Sequence, residues 1–358
     1  MVTNQELTEF YKNKTILLTG STGFKGSWLA FWLYKMGANV IDYSLRPLNN
    51  EDHFNLLSLE KKITYIQGDI LNDDKLKTVF EKYKPEIVFH LAAQALVRLS
   101  YDYPKITFDT NVSGSVNVLE AVKNTKSVKS FIYVTSDKAY KNKEWIWGYK
   151  ENDELGGHDP YSASKAAAEI VFSSYNDSFF DKIESIGVGS VRAGNVIGGG
   201  DWALDRIIPD CIRSLNNNKP IVIRNPHATR PWQHVLEPLH GYLLLALKLY
   251  NDPKKYSGSW NFGPNIKSIK NVKQLSEKVI SVYGSGKLDL KHDKNAHHEA
   301  STLHLNCDKS NAILKWYPKW NFDTTIERTV NWYTNHLKGK NAEDLTLFDI
   351  NEFIKAKI

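Results

Sequence analysis

Short apolar runs alternate with longer segments of helical periodicity through the first half of the chain. Residues 14–19, 40–45, 63–67, 86–91, 130–135 and 185–192 read as six strands. Between them, residues 26–36, 73–83, 111–123 and 161–172 place apolar side chains at helical spacing. Strands that are apolar at nearly every position belong to a parallel sheet covered on both faces. The pattern therefore predicts an α/β fold with a doubly wound, Rossmann-type parallel sheet. After Gly194 the alternation is lost, glycines, prolines and tryptophans become denser, and Gly198-Gly199-Gly200 forms a loop. The predicted organisation is a sheet domain over 1–194, rejoined by about 235–265. A smaller, discontinuous C-terminal domain covers about 195–234 and 266–345.

The chain has 358 residues, which suits two domains at ~150 residues each. Charged residues make up 24% and hydrophobic ones 42%, the balance of a globular protein and not of a disordered one. The densest apolar patch, 242–249, is too short to span a bilayer. Residues 1–14 have no apolar signal core. A cytoplasmic protein with no membrane contact is expected. The 46 basic and 40 acidic residues leave a net charge of +6. They are spread along the chain, which suits an anionic small ligand and not a nucleic-acid stripe. Cys211 and Cys307 have no metal-ligand spacing and read as reduced thiols. His292, His297, His298 and His304 lack a carboxylate or cysteine framework, so no metal site is expected.

The first strand runs into Thr19-Gly20-Ser21-Thr22-Gly23-Phe24-Lys25-Gly26, with G-x-x-G-x-x-G spacing between a strand and a helix. Glycines there let backbone approach a pyrophosphate, and the helix N-terminus offers free N–H donors. A carboxylate ending the second strand favours NAD, and an arginine there meets the 2′-phosphate of NADP. Here Asp42 lies a little early, inside the strand, and Arg46 follows it, so the residues leave both cofactors open. Asp69, after the third strand, is placed for the adenine region. Leu91-Ala92-Ala93-Gln94, after the fourth, supplies small residues where a cofactor could lie close.

Tyr161 and Lys165 stand four apart, on one face of a helix. An ammonium near a phenol favours the phenolate and makes it a usable base. The same spacing recurs at Tyr101/Lys105, Tyr250/Lys254 and Tyr283/Lys287, but Pro104, Pro253 and two glycines interrupt those segments. Only Tyr161/Lys165 opens a clean helix, after Pro160. The fifth strand ends in Thr135-Ser136-Asp137-Lys138, at a sheet edge that faces the ligand crevice in such folds.

These motifs together resemble the extended short-chain dehydrogenase/reductase family. The resemblance spans nearly the whole chain: the glycine loop, G-D-I at 68–70, L-A-A-Q at 91–94, Y-V-T-S-D-K-A-Y at 133–140, Y-S-A-S-K at 161–165 and V-R-A-G-N-V-I-G-G-G-D-W at 191–202. Within the family the chain is most similar to nucleotide-sugar 4,6-dehydratases. The features weighed are S-D-K-A-Y where others carry an Asp-Glu pair, D-R-I-I-P-D at 205–210 and R-P-W-Q-H-V at 230–235.

The resemblance implies NAD, held by Gly20, Thr22, Gly23, Phe24, Lys25, Gly26, Asp69, Ile70, Leu91, Ala92, Ala93, Gln94, Tyr161 and Lys165. It implies catalysis by Ser136, Asp137, Lys138, Tyr161 and Lys165, with Lys138 either the base at C5 or an electrostatic partner of the enolate. Asn195, Arg206, Arg230 and His234 are the expected contacts to an anionic nucleotide sugar, CDP-glucose before dTDP-glucose or GDP-mannose, with an epimerase as the rival activity. A homodimer or dimer of dimers through about 111–123 and 161–175 is also implied, as is a role in deoxysugar biosynthesis of the lipopolysaccharide O-antigen kind. Trp145 and Trp147 are candidates for the cleft wall.

Overall fold

The computed structural model describes residues 2–290 and 302–357. Six of its strands are β1 (Thr15–Thr19), β2 (Asn39–Ser44), β3 (Thr64–Gln67), β4 (Ile87–His90), β5 (Ser130–Val134) and β6 (Gly187–Arg192). A seventh, Gly258–Asn261, pairs with β6. All neighbours in this sheet run parallel, and the spatial order is Gly258–Asn261, β6, β5, β4, β1, β2, β3. The order reverses between β1 and β4, which opens a crevice at their C-terminal ends.

Alternation along β1 explains the two layers. Ile16 and Leu18 point into one core with Trp28, Leu29, Leu243 and Leu245. Leu17 points into the other with Val118, Leu119, Phe131 and Phe172. Helices Phe24–Lys35 and Leu236–Asn251 cover the first face; Asp73–Tyr83, Gly114–Asn124 and Pro160–Ser178 cover the second. Burial of the apolar stripe, not helix propensity, fixes these helices, and the polar residues they bury, such as Ser27, Lys165, Glu169 and Glu237, need partners in the fold.

After β6 the chain leaves the sheet, returns through Leu236–Asn251 and Gly258–Asn261, and leaves again. The excursions carry helices Ile207–Asn216, Val272–Tyr283 and Phe322–Leu337. They also carry short strand pairs, Ile221–Ile223 with Leu288–Leu290 and Thr229–Pro231 with Ile269–Asn271. Helix Ala342–Lys355 packs through Ile350 and Phe353. The N-terminal helix Asn4–Tyr11 was not legible as an apolar segment. It is started by a Thr3/Glu6 capping box and anchored by Leu7 and by Tyr11, whose hydroxyl donates to Leu243 O at 2.7 Å. No helix among the described residues is long and apolar enough to cross a membrane.

Candidate active site

A cleft of about 1880 Å³ opens at the C-terminal ends of the strands. A single small-molecule pocket measures ~300–1,000 Å³, so this one has room for two ligands end to end. The glycine loop forms its floor. Gly20 has φ +85°, and a Cβ there would lie 2.7 Å from Ala92 N, so the β1 and β4 loops touch at this residue. Gly26 seats its helix on that loop, because a Cβ would fall 2.1 Å from Gly20 O. Thr22, Gly23, Phe24, Lys25, Asp69, Ile70, Leu91, Ala92 and Ala93 line the same cleft.

Two expected cofactor residues have other tasks. Asp42 is fully buried, accepts from Ser21 N at 3.2 Å and receives the Ser44 hydroxyl at 2.6 Å. Burial raises its carboxyl to about 6, with the Ser21 and Ser44 bonds opposing. It props the glycine loop from beneath. Gln94 lies outside the cleft wall; its amide donates to Leu96 O and Thr107 Oγ1, and its N–H reaches Asn111 Oδ1 at 2.8 Å. It fixes the β4 loop and presents no side chain to a ligand.

Across the cleft stands helix Pro160–Ser178, capped by Asp159, which accepts from Ser162 N at 2.9 Å. Tyr161 and Lys165 are both nearly buried on its cleft-facing side. The three rival spacings are broken as the prolines and glycines require. The helix of Tyr101 stops at Asp102, that of Tyr250 at Asn251, and that of Tyr283 at a left-handed Gly284.

Ser136, Asp137 and Lys138 face Tyr161 from the end of β5. The Ser136 hydroxyl donates to Asp137 Oδ1 at 3.0 Å and accepts from Lys138 N at 3.2 Å. Asp137 is 2% exposed and its Oδ2 has no hydrogen-bond partner. Gly194 makes room for it, since a Cβ there would lie 1.6 Å from Oδ2. An unpartnered buried carboxylate oxygen is costly, and here it borders the cleft.

The cations around this acid tune one another. Burial pushes Tyr161 up to about 12, while the Ser136 hydroxyl and Arg206 pull it down. Burial lowers Lys165 to about 8, with Lys25 adding to the fall and Glu169 opposing it. Burial also lowers Lys25 to about 8 against the pull of Asp137. Lys25, expected from sequence to help hold the cofactor, also feels the charge of Asp137.

On the far wall stand Asn195, Arg206 and Arg230. Arg206 pairs with Asp201 at 3.4 Å. His234 is not there. Its ring is fully buried, edge-on to Trp28 and packed at 4.8 Å against Trp320, and it lines no part of the cleft. The R-P-W-Q-H-V motif leaves the cleft after Trp232, so the histidine falls on the core side. Trp145 stacks on Tyr149 at 5.2 Å and Trp147 is exposed, both away from the cleft wall. His292, His297 and His298 lie outside the described residues.

Sequence reading missed Glu169 and Arg192. Glu169 accepts from Thr135 Oγ1, from Ser190 Oγ at 2.9 Å and from Arg192 at 2.7 Å. Its signal was present: Tyr161, Lys165 and Glu169 recur at four-residue intervals along one helix face.

The profile of the GDP-mannose 4,6 dehydratase family matches residues 17–329. A CDP-glucose 4,6-dehydratase of Salmonella typhimurium is 45% identical over 97% of this chain and 98% of its own length. A dTDP-D-glucose 4,6-dehydratase of Dictyostelium discoideum is 31% identical over 75% of this chain and 62% of its own length. Among solved structures, a dTDP-glucose 4,6-dehydratase from Bacillus anthracis in complex with NAD has the same fold, with a TM-score of 0.76. It is 22% identical, and the match covers 91% of this chain and 98% of that one. The cleft, its motifs and these matches agree: the chain belongs to the GDP-mannose 4,6 dehydratase family, within the extended short-chain dehydrogenases/reductases.

Proposed function

We propose that the protein is a CDP-glucose 4,6-dehydratase, a hydro-lyase that converts CDP-glucose to CDP-4-keto-6-deoxyglucose and water. The observation that carries this reading is that Tyr161, Ser136 and Asp137 line one cleft, with the Ser136 hydroxyl bonded to Asp137. Similarity over almost the full length to a CDP-glucose 4,6-dehydratase supports the nucleotide.

The glycine loop fits a dinucleotide. Gly23 is exposed, and a Cβ there would meet nothing nearer than Gly20 O at 3.4 Å, so the free N–H groups at the head of its helix stay open. NAD bound there would supply the hydride acceptor for sugar C4 and the hydride donor for C6. Gly20, Thr22, Gly23, Phe24, Lys25, Ala92, Asp69 and Ile70, which line this part of the cleft, would hold it.

Tyr161 takes the proton of the 4-hydroxyl, Ser136 holds the 4-oxygen, and Lys165 stabilises the phenolate and would hold the cofactor's ribose when NAD is bound. The 4-keto group acidifies the C5 proton, which Lys138 removes. Asp137 protonates the 6-oxygen, the C6–O bond breaks, and water leaves. Lys138 then returns its proton to C5. The cycle ends with Tyr161 protonated and Asp137 ionised. Ser136, which lines the cleft with Tyr161 and is bonded to Asp137, is the proposed path for resetting them.

Arg206, Arg230 and Asn195 grip the substrate diphosphate, the two guanidinium groups matching phosphate oxygens in pairs. Residues 1–194 with about 235–265 serve as the NAD-binding domain, and about 195–234 with 266–345 as the nucleotide-sugar domain. We place the enzyme in the cytoplasm, in deoxysugar assembly of the O-antigen kind. We read it as a homodimer or dimer of dimers through helices Gly114–Asn124 and Pro160–Ser178, the latter carrying an exposed Ile170.

The test is incubation of the protein and NAD⁺ with CDP-glucose, dTDP-glucose and GDP-mannose in parallel, read by mass spectrometry for loss of one water. Preferred dehydration of CDP-glucose is expected. Preference for another sugar nucleotide reassigns the base, and epimerisation without water loss overturns the reaction.

A further inference from the structure

The adenosine end of the cleft carries a feature that the proposed NAD chemistry does not use. In dinucleotide-binding sheets a carboxylate at the end of the second strand meets the ribose 2′-hydroxyl and repels a 2′-phosphate, whereas an arginine there receives that phosphate. The one carboxylate on β2, Asp42, is fully buried and committed to Ser21 N and the Ser44 hydroxyl. The cleft-lining run that follows, Tyr43 to Asn49, contains no acid. Ser44 is itself occupied, its oxygen also accepting from Gly20 N and Ser21 N at 3.1 Å.

Arg46 stands where the acid is missing. It lies two residues beyond the end of β2, lines the cleft and is exposed. Its Nε donates to Gln67 Oε1 at 2.6 Å, at the end of the neighbouring β3. That bond holds the arginine at the sheet edge. A guanidinium has five donors in a fixed fork, so the terminal nitrogens remain to meet a phosphate.

We propose that Arg46 makes this end of the cleft a receptor for a 2′-phosphate, so that the protein binds NADP⁺ as well as NAD⁺. Arg46 is then the residue that sets cofactor preference. The inference rests on the cleft being a dinucleotide site.

The test is calorimetric titration of nucleotide-stripped protein with NAD⁺ and with NADP⁺, for the wild type, Arg46→Ala and Arg46→Asp. Arg46 is exposed, so neither change threatens folding. The wild type is expected to bind the two cofactors within about tenfold of each other. Loss of a charged hydrogen bond to phosphate in Arg46→Ala should weaken NADP⁺ by about tenfold or more and leave NAD⁺ nearly unchanged. Arg46→Asp should restore exclusion of NADP⁺. Binding of NAD⁺ with NADP⁺ excluded from the wild type overturns the role of Arg46 alone, as does an equal effect of Arg46→Ala on both. Failure of both cofactors to bind overturns the dinucleotide reading and this proposal with it.

Discussion

Glu169 and Arg192 meet at 2.7 Å, with neither side chain more than 3% exposed. The pair ties helix Pro160–Ser178 to β6 of the sheet. Glu169 also receives the hydroxyl of Thr135, the residue before Ser136. Arg192 reaches on to the Tyr140 hydroxyl at 2.7 Å and to Glu151 O at 2.9 Å. Tyr161, on the helix, and Ser136, on the strand end, are thereby held in one frame.

Removing one partner strands the other as an uncompensated buried charge. Arg192→Met is expected to cost ~3–5 kcal/mol in urea denaturation at neutral pH. Burial alone would raise the Glu169 carboxyl, but Arg192 and the hydroxyls of Thr135 and Ser190 outweigh it and hold it below its ordinary value. A carboxyl held low contributes stability above its unfolded value and loses it as pH falls through the folded one. The gap between wild type and Arg192→Met should therefore narrow in acid. A gap that widens there would contradict the pairing.

Gly194→Ala places a methyl where Asp137 Oδ2 now sits, 1.6 Å from the new carbon. The flexible partner is the acid, so it must swing away. A displacement of about an ångström costs a catalytic group ~10²-fold. Turnover of CDP-glucose should fall by that order while cofactor binding, measured by titration, is retained.

Asp137→Asn separates the two halves of the reaction. Tyr161 and Ser136 remain, so oxidation at C4 proceeds, but no acid assists departure of the 6-hydroxyl. Reduced nicotinamide should accumulate under single-turnover conditions and be seen by its absorbance. Tyr161→Phe should give none, with a loss of ~10²–10⁴-fold for a general base. In Lys138→Met, exchange of the C5 hydrogen with deuterium from solvent should cease; undiminished exchange would leave Lys138 only an electrostatic partner.

Glu237 sits fully buried in the first turn of helix Leu236–Asn251, accepting from Lys319 N and Trp320 N. Burial raises its carboxyl from 4.5 to about 8, against those bonds and the Lys319 charge. A group raised on folding holds its proton in the native state while the unfolded chain has lost it. Stability therefore falls as pH rises from 4.5 to about 8, by up to ~1.4 kcal/mol per pH unit for this group. Glu237→Gln keeps an acceptor for both N–H groups and removes the titration. Urea midpoints across this range should flatten in the variant relative to wild type.

The sheet and its motif positions were legible because they depend on local pattern. Six strands, the glycine loop and the start of the Tyr161–Lys165 helix lie within a residue or two of where periodicity, capping and proline placement put them, while that helix runs on from 172 to Ser178. Near-continuous apolar strands also required a parallel sheet with two covered faces. What periodicity could not supply was direction at single positions. His234, Asp42 and Gln94 are polar residues inside motifs that border the cleft, and sequence treats all three as candidates to face it. Folding turned His234 into the core against Trp28 and Trp320, and spent Asp42 and Gln94 on holding loops. The Glu169–Arg192 bond joins residues 23 apart whose elements meet only in the assembled fold. The sequence by itself determined which elements form and which chemical groups are available. Only the tertiary structure decided which of those groups reach the cleft, because burial and hydrogen-bond satisfaction are properties of a whole packed neighbourhood.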